Sequence, residues 1–448
     1  MKNKRSRRKF LKTTAAGALG FHYFPGTLFG SNAPSNKLNI AAIGIAGRGG
    51  TNLRQCSSEN IVALCDVDLG FASESIQQFP SANVYQDWRE LFDKEKNIDA
   101  VVISTPDHTH ATITMAALEL GKHVYCEKPL THTVYEARKI AEAARYYGVQ
   151  TQMGNQGHSS DEIRLLKEYL DDGIIGDVTE VYAWTDRPVG GRPWSNFLVQ
   201  AKPSDTPPVP DKLNWDLWLG PAQYRDYHPD YHPGKWRAWL DFGTGAMGDM
   251  GCHILDPSFW ALDLGAPSVV QATSTHWEPG ISTQTFPRAS IVRMEFPARG
   301  SKPPVKLTWS DGRLLPPVPP EFKQGQKFPP SGAMLIGEHG VILHGSHGAR
   351  DLQVLPESKM ESYTPPKETI RRVTEGHHGD WLRACKDGKP ASSTFDYGGP
   401  MTEMALLGMI AIRVKDQRLE WDAENLRFTN NDEANALFHK EYREGWSM

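Results

Sequence analysis

The triplet Glu127-Lys128-Pro129 ends an apolar run, His123 to Cys126, that reads as a β-strand. A parallel strand closing on a lysine and a proline puts an ammonium group at the carboxyl edge of the sheet, where open α/β folds bind their ligands. A second cluster, Gly248-Asp249-Met250-Gly251-Cys252-His253, runs into the helical pattern Ile254 to Leu264. With Asp249 already helical, its carboxylate and the His253 imidazole stand at i and i+4 on one face. Pro257 then bends that helix beside His253, because it removes the N–H that the His253 carbonyl would accept. Asp and His at this spacing also ligate metals, but a metal needs a third or fourth ligand. The spacing of His108, His110, His158 and His377 selects none of them, so no metal is expected. Without one, the pair suits an alcohol: a neutral imidazole takes the hydroxyl proton while hydride leaves for a nicotinamide.

The elements that would position these groups begin with Leu38 to Ile43, an apolar strand that breaks into Gly44-Ile45-Ala46-Gly47-Arg48-Gly49-Gly50. Such a turn lets backbone N–H groups and a helix N-terminus approach a pyrophosphate, which makes Gly44, Ala46, Gly47, Arg48 and Gly49 cofactor-side residues. The usual fingerprint has glycine first, third and sixth; here Ala46 is third, and Gly47 relaxes the turn instead. The next strand, Ile61 to Cys65, ends at Asp66, 22 residues beyond Gly44. That is close to the roughly 20 expected of the carboxylate that binds an adenosine ribose. It favours NAD, since it would repel a 2′-phosphate, with NADP as the alternative. From Asn39 to Gln152 short apolar strands alternate with amphipathic helices, including a helix predicted from Leu69 to Phe79, which makes 37–155 one doubly wound Rossmann domain.

Beyond Gly154 the texture changes. A helix, Asp161 to Asp171, leads to alternating strands at Val178 to Asp186, near Val269 to His276, at Ser290 to Phe296 and at Val305 to Trp309. Alternation implies a half-exposed, largely antiparallel open sheet, so the expected class is α/β with a Rossmann domain followed by an α+β domain over 156–375. An open face must be covered, and a homo-oligomer packing sheet on sheet is expected. Two proline-rich insertions, 187–239 and 312–330, interrupt this domain, and long ordered loops are usually functional. In the first, Trp194, Trp215, Trp218, Trp236 and Trp239 can stack on sugar rings or pin the loop to the core. Residues 376–448 are expected to return as helices packing on the nucleotide domain.

A chain of 448 residues exceeds one compact core, in keeping with two domains. With 39% hydrophobic and 23% charged residues, a net charge of −4 and no basic block past the N-terminus, nothing suggests nucleic acid. No stretch past residue 33 is apolar enough to span a membrane. Residues 1–33 differ: Ser6-Arg7-Arg8-Lys9-Phe10-Leu11-Lys12 and the mildly apolar stretch after it resemble a twin-arginine export signal. That pathway carries folded proteins, which implies a periplasmic protein whose nucleotide is loaded beforehand and stays bound through turnover. Ser31-Asn32-Ala33 has the small residues of a cleavage site, but Pro34 follows and leaves the cleavage point open. The five cysteines, Cys56, Cys65, Cys126, Cys252 and Cys385, show no C-x-x-C spacing and read as small buried hydrophobes rather than disulfides or zinc ligands.

Taken together, the glycine turn, Asp66, Ser104-Thr105-Pro106-Asp107-His108-Thr109-His110, Glu127-Lys128-Pro129 and Gly248 to His253 resemble the Gfo/Idh/MocA oxidoreductases, the glucose-fructose oxidoreductase and inositol dehydrogenase type. The resemblance implies that Lys128 contacts the reacting hydroxyl and the nicotinamide ribose, and that Asp249 and His253 bind substrate and transfer the proton. It implies that Thr105, Pro106 and His110 form the loop lying against the cofactor and that Glu127 is the cofactor-side acid. It also implies sugar or cyclitol substrates. The tryptophan-rich insertion and the polar Asn155, Gln156, Arg187 and Arg192 fit a carbohydrate, with Asn155, Arg187, Trp194 and Trp236 as the substrate-binding candidates. The resulting expectation is hydride transfer between a sugar, glycoside or cyclitol hydroxyl and tightly bound NAD. One alternative is an NAD-dependent glycosidase that oxidises the sugar transiently and eliminates the aglycone. The other is a non-catalytic sugar-binding protein that keeps NAD as a structural element.

Overall fold

The structure is a computed structural model that describes residues 36–199, 201–275 and 283–448. The expected export signal lies outside the described residues. From Leu38 onward the chain forms one compact unit.

Six parallel strands make the first sheet: β1 (Asn39–Ile43), β2 (Asn60–Cys65), β3 (Asn83–Tyr85), β4 (Ala100–Ile103), β5 (His123–Cys126) and β6 (Thr151–Met153), in the order β3-β2-β1-β4-β5-β6. Every residue of β4 is buried, as expected of a strand covered by helices on both faces. The connecting helices are α1 (Arg48–Gln55), α2 (Ser73–Gln78), α3 (Trp88–Lys94), α4 (Asp107–Glu119) and α5 (Val134–Tyr147). The strand order reverses between β1 and β4, so the crevice at their carboxyl ends is the ligand position of this architecture. Helix α2 starts later than the predicted Leu69, because the Asp68 carboxylate accepts the N–H groups of Gly70 (3.0 Å) and Phe71 (2.9 Å) and holds a turn there. Helix α5 opens with a reciprocal cap between Thr133 and Glu136 and ends on left-handed Gly148; such a cap contributes about 1 kcal/mol.

The second sheet has nine strands: β7 (Val178–Trp184), β8 (Val269–Ser274), β9 (Ser290–Phe296), β10 (Val305–Ser310), β11 (Gly332–Gly337), β12 (Gly340–Gly345), β13 (Gln353–Leu355), β14 (Arg418–Asp422) and β15 (Arg427–Phe428). Their order is β13-β12-β11-β7-β10-β9-β8-β14-β15, antiparallel except for the β7–β10 pair. One face packs on helices, while Glu180, Arg293 and Lys306 are exposed on the other. The C-terminal segment corrects the expectation of helices alone. The helix Phe395–Val414 does pack on α5, but it also packs on helix Gly245–Ile254 and β8, and β14 then pairs with β8 at the sheet edge.

The first insertion is stapled to the loop after β2. Asn214 N–H donates to Val67 O (2.8 Å), Leu69 N–H donates to Lys212 O (3.1 Å), and His232 Nε2 meets Asp68 Oδ2 at 2.9 Å. Its Trp215, Trp218, Tyr231 and Trp239 form a buried aromatic cluster with Phe242 just beyond it, and Trp215 and Trp218 stack at 4.6 Å. Trp215 and Trp239 are therefore packing residues. The tail is tied down too. Tyr442 Oη donates to the buried Glu136 carboxylate (2.7 Å), and Arg443 binds Asp216 and the Gly220 carbonyl (3.2 Å). These contacts bring Trp446 to 6.3 Å from Trp88, ring to ring.

Candidate active site

A cleft of about 680 Å³ runs from the glycine turn to the second sheet, lined along its length by Gly44, Asp66, Thr105, Glu127, Lys128, Asp249 and His253. The turn takes its shape from two glycines. Gly47 holds φ 53° where the chain enters α1, and a Cβ there would meet nothing within 4 Å, so the backbone at this point borders open space that phosphates can approach. A Cβ on Gly49 would fall 1.8 Å from the Gly44 carbonyl oxygen, so only glycine lets the helix pack this close to the turn. Gly47 thus supplies the freedom that Ala46, at the third position, lacks. Asp66 is half-buried at the end of β2, where Ile45 N–H (2.9 Å) and Asp68 N–H (3.0 Å) each donate to a different carboxylate oxygen. Burial raises its pKa, and those two N–H groups act against the rise. The turn, Arg48 and this carboxylate suit the pyrophosphate and adenosine ribose of a dinucleotide.

At the carboxyl end of β5, Glu127 N–H continues the ladder to Ile103 O (2.9 Å), and its side chain turns back toward α1. Glu127 Oε1 accepts from Arg48 Nε (3.0 Å), Asn52 Nδ2 (2.9 Å) and Gln156 Nε2 (3.3 Å). Burial alone would raise the Glu127 pKa, but Arg48 and Lys128 outweigh it and hold the carboxyl ionised below its usual range. His110 joins the two neighbouring loops, with Nδ1 2.8 Å from Pro129 O and Nε2 2.8 Å from Thr105 O. Both nitrogens face acceptors, which only the doubly protonated ring satisfies. Burial lowers its proton affinity, yet Cys126, Asp107 and the Pro129 carbonyl carry its pKa up to about 10. His110 therefore clamps the Thr105-Pro106 loop to the Lys128-Pro129 turn while lining the cleft.

Lys128 points across the cleft to helix Gly245–Ile254, where Nζ donates to Asp249 O (2.7 Å) and to Asp249 Oδ1 (2.9 Å). The helix starts four residues earlier than expected, at Gly245, and ends before Leu255, with Pro257 in the first turn of the next helix. Asp249 and His253 thus share one face, as their spacing predicts. Asp249 also binds Arg237 Nε (3.1 Å) and Arg187. Burial would raise its pKa; Arg187, Lys128 and Arg237 together push it well below the carboxylate range.

His253 has no hydrogen-bond partner among the described residues; its Nδ1 is buried, and its ring lies 4.0 Å from the stacked ring of His347. Burial first, then His347 and Lys128, holds His253 neutral well below its ordinary pKa, and burial with Lys128 lowers His347 to about 4. His347 sits at φ 62° in the turn after β12, a conformation costly for a non-glycine residue and common at functional sites.

Arg187, Trp194 and Trp236 line the cleft, with Trp194 64% exposed and Trp236 buried under the Arg237 guanidinium, 4.1 Å from the ring centroid. Asn155 corrects its expected role in substrate binding. It is fully buried outside the cleft, where its Oδ1 accepts the Ser393 hydroxyl at 2.7 Å. Sequence reasoning did not single out Arg237, His347 or Trp446. Arg237 follows Trp236 in an insertion dense in aromatic and basic residues, which is the one local signal for it; nothing local marks the other two. Four cysteines are buried and Cys385 partly so, none in a disulfide, and no group of three metal-ligating side chains occurs among the described residues. Nor is any described helix long and apolar enough to cross a membrane.

Residues 38–155 match a model of the Gfo/Idh/MocA oxidoreductase family described as its NAD-binding Rossmann fold, and 160–278 match that family's C-terminal alpha/beta domain. Levoglucosan dehydrogenase of Pseudarthrobacter phenanthrenivorans is 28% identical over 208 residues, 46% of this chain and 43% of the relative. Inositol 2-dehydrogenase/D-chiro-inositol 3-dehydrogenase of Lactiplantibacillus plantarum is 30% identical over 150 residues, 33% of this chain and 43% of the relative. The chain thus spans less than half the length of these curated relatives. Two solved structures share the fold over 86% of this chain and 99% of theirs. They are levoglucosan dehydrogenase with NADH and levoglucosan (TM-score 0.56, 18% identity) and the WlbA dehydrogenase of Bordetella pertussis with NADH and UDP-GlcNAcA (TM-score 0.57, 14% identity). With two consecutive family models covering more than half of its length, the chain belongs to the Gfo/Idh/MocA oxidoreductase family.

Proposed function

We propose that this protein oxidises a hydroxyl group of a sugar, glycoside or cyclitol with NAD, and that the nucleotide stays bound between turnovers. The observation that carries this is the meeting of Lys128, Asp249 and a neutral, unpartnered His253 in one cleft with a glycine-turn dinucleotide cradle. NAD, when bound, supplies the hydride acceptor. His253 Nε2, the nitrogen opposite the buried Nδ1, takes the hydroxyl proton, and its depressed proton affinity keeps it ready at neutral pH. Lys128 offers positive charge to the oxygen as it becomes alkoxide-like. Asp249 fixes the Lys128 ammonium through its carboxylate and its main-chain carbonyl. The relatives named above are dehydrogenases, which favours this reading over redox-assisted glycoside cleavage or a purely binding role.

Retention of the nucleotide is supported by the first insertion and the tail. His232, Trp236 and Trp446 line the cleft, His232 lies against Phe71, and the Asp68–His232 contact closes the insertion against the loop after β2. We place the protein in the periplasm on the strength of its N-terminal sequence, and expect copies to associate through the outer face of the second sheet. Purified protein is tested by absorbance before and after sugars are added, with product analysis. Reduced nicotinamide rising in proportion to sugar oxidised supports the dehydrogenase. Aglycone release with no lasting reduction overturns it, and protein that denatures without releasing nucleotide refutes retention.

A further inference from the structure

Resting on the reading that this cleft oxidises a sugar, we propose that the sugar carries an anionic group, specifically a carboxylate of the uronic-acid kind. Three cations, Lys128, Arg187 and Arg237, converge on the single carboxylate of Asp249. Their side chains are only 11%, 17% and 31% exposed, so water screens them weakly.

The other charges lining this part of the cleft cancel. Glu127 answers Arg48, and Asp107, buried against the Thr244 hydroxyl at 2.6 Å, answers the His110 imidazolium. His253 and His347 are neutral. Asp186 borders only a neighbouring cavity of about 550 Å³ that shares Arg187 with the cleft. Two positive charges are thus left without an anion on side chains that are largely shielded from water, a costly arrangement unless a bound group answers them.

The transition state does not account for both. An alkoxide forming at the reacting carbon is one transient charge, and Lys128 meets it. Arg187 and Arg237 come from the second sheet and its insertion, on the substrate side. Arg187 gives Nη1 to Asp249 and Arg237 gives Nε, so each keeps further N–H donors. The Trp236 ring under Arg237 holds one guanidinium plane in place, and a guanidinium edge matches a planar carboxylate bidentately. A phosphate ester would satisfy the same charges, so the test includes one.

Calorimetric titration of the full-length, nucleotide-loaded protein compares D-glucuronate and D-galacturonate with glucose and galactose, and with glucose 6-phosphate. Each uronate is expected to bind at least about 10-fold more tightly than its neutral twin, as one charge-assisted pair would give. The advantage should shrink with added salt and collapse in Arg237→Gln, with Arg187→Gln as the second variant and thermal unfolding confirming that both fold. Equal affinity for uronate and neutral twin, or no binding of either, overturns the proposal; tighter binding of the 6-phosphate overturns the carboxylate. Because the readout is binding, the two conclusions fail separately. Uronate binding without nicotinamide reduction defeats the oxidoreductase reading, and oxidation of neutral sugars without uronate preference defeats this one.

Discussion

Two buried carboxylates stand on either side of Lys128, and they are kept ionised by different means. Glu127 has one guanidinium and the side-chain amides of Asn52 and Gln156, while Asp249 has three cations. Burial opposes ionisation at both, and Arg48 at the first and Arg187 at the second are the largest forces overcoming it. Amide donors stabilise a carboxylate without adding charge, so the cofactor wall is close to neutral. Cations stabilise it by overshooting, so the substrate wall is positive. The lysine between them joins a balanced surface to one that lacks an anion.

The sharpest way to break this contrast is at Lys128 itself. Lys128→Met should lower kcat by about 10³-fold or more while leaving nucleotide bound, since the cradle lies elsewhere. Single-turnover measurement with near-wild-type rates would refute the assignment. Next in size, Asp249→Asn strips the only direct counter-ion that three weakly exposed cations have among the described residues, and denaturant unfolding should show a loss of about 3–5 kcal/mol. Glu127→Gln should cost only about 1 kcal/mol, because Arg48 is 41% exposed and can turn to water. If the two variants lose equal stability, the contrast is empty.

Smaller effects sharpen it. His253 is depressed by burial and then by His347 and Lys128, so the acid limb of the rate profile should lie well below pH 6.5. His347→Ala should move that limb upward; an unmoved limb would mean the stacked ring does not tune the base. Global stability should change with pH as well. Burial lowers His344 and His377 from 6.5 to about 4, so the unfolded chain binds protons first as pH falls. Their contribution is complete above about pH 6.5 and is lost as pH drops through 4, which thermal melts across that window would detect.

The Rossmann half was legible because its information is local. Buried parallel strands such as Ala100–Ile103 read as apolar runs, the glycine turn announces itself, and Asp249 and His253 reveal a shared face by spacing alone. What stayed hidden depends on long-range closure. Arg237 reaches Asp249 only because the aromatic cluster of Trp215, Trp218 and Trp239 folds the insertion back. His347 is itself left-handed in the turn after β12, and the flanking Gly345 and Gly348 signal a turn without showing that its histidine reaches the cleft. Asn155 failed for a related reason. It sits two residues past β6, at the sheet edge as expected, but Ser393 from the C-terminal segment covers it. A pattern along the chain reports periodicity and says nothing of which distant segment lands on it.

Trp446 lines the same cleft as Gly44. A ribosome that has released the first sheet has made a strand order capable of greeting a dinucleotide, but the walls that enclose it arrive with the insertion and then with the last turn of the tail. A dinucleotide held there would meet walls drawn from segments far apart in the chain, not from the first sheet alone. Bulk fused just after that tryptophan would press on the adenosine side of the cleft, so the placement of an affinity tag becomes a question of cofactor content.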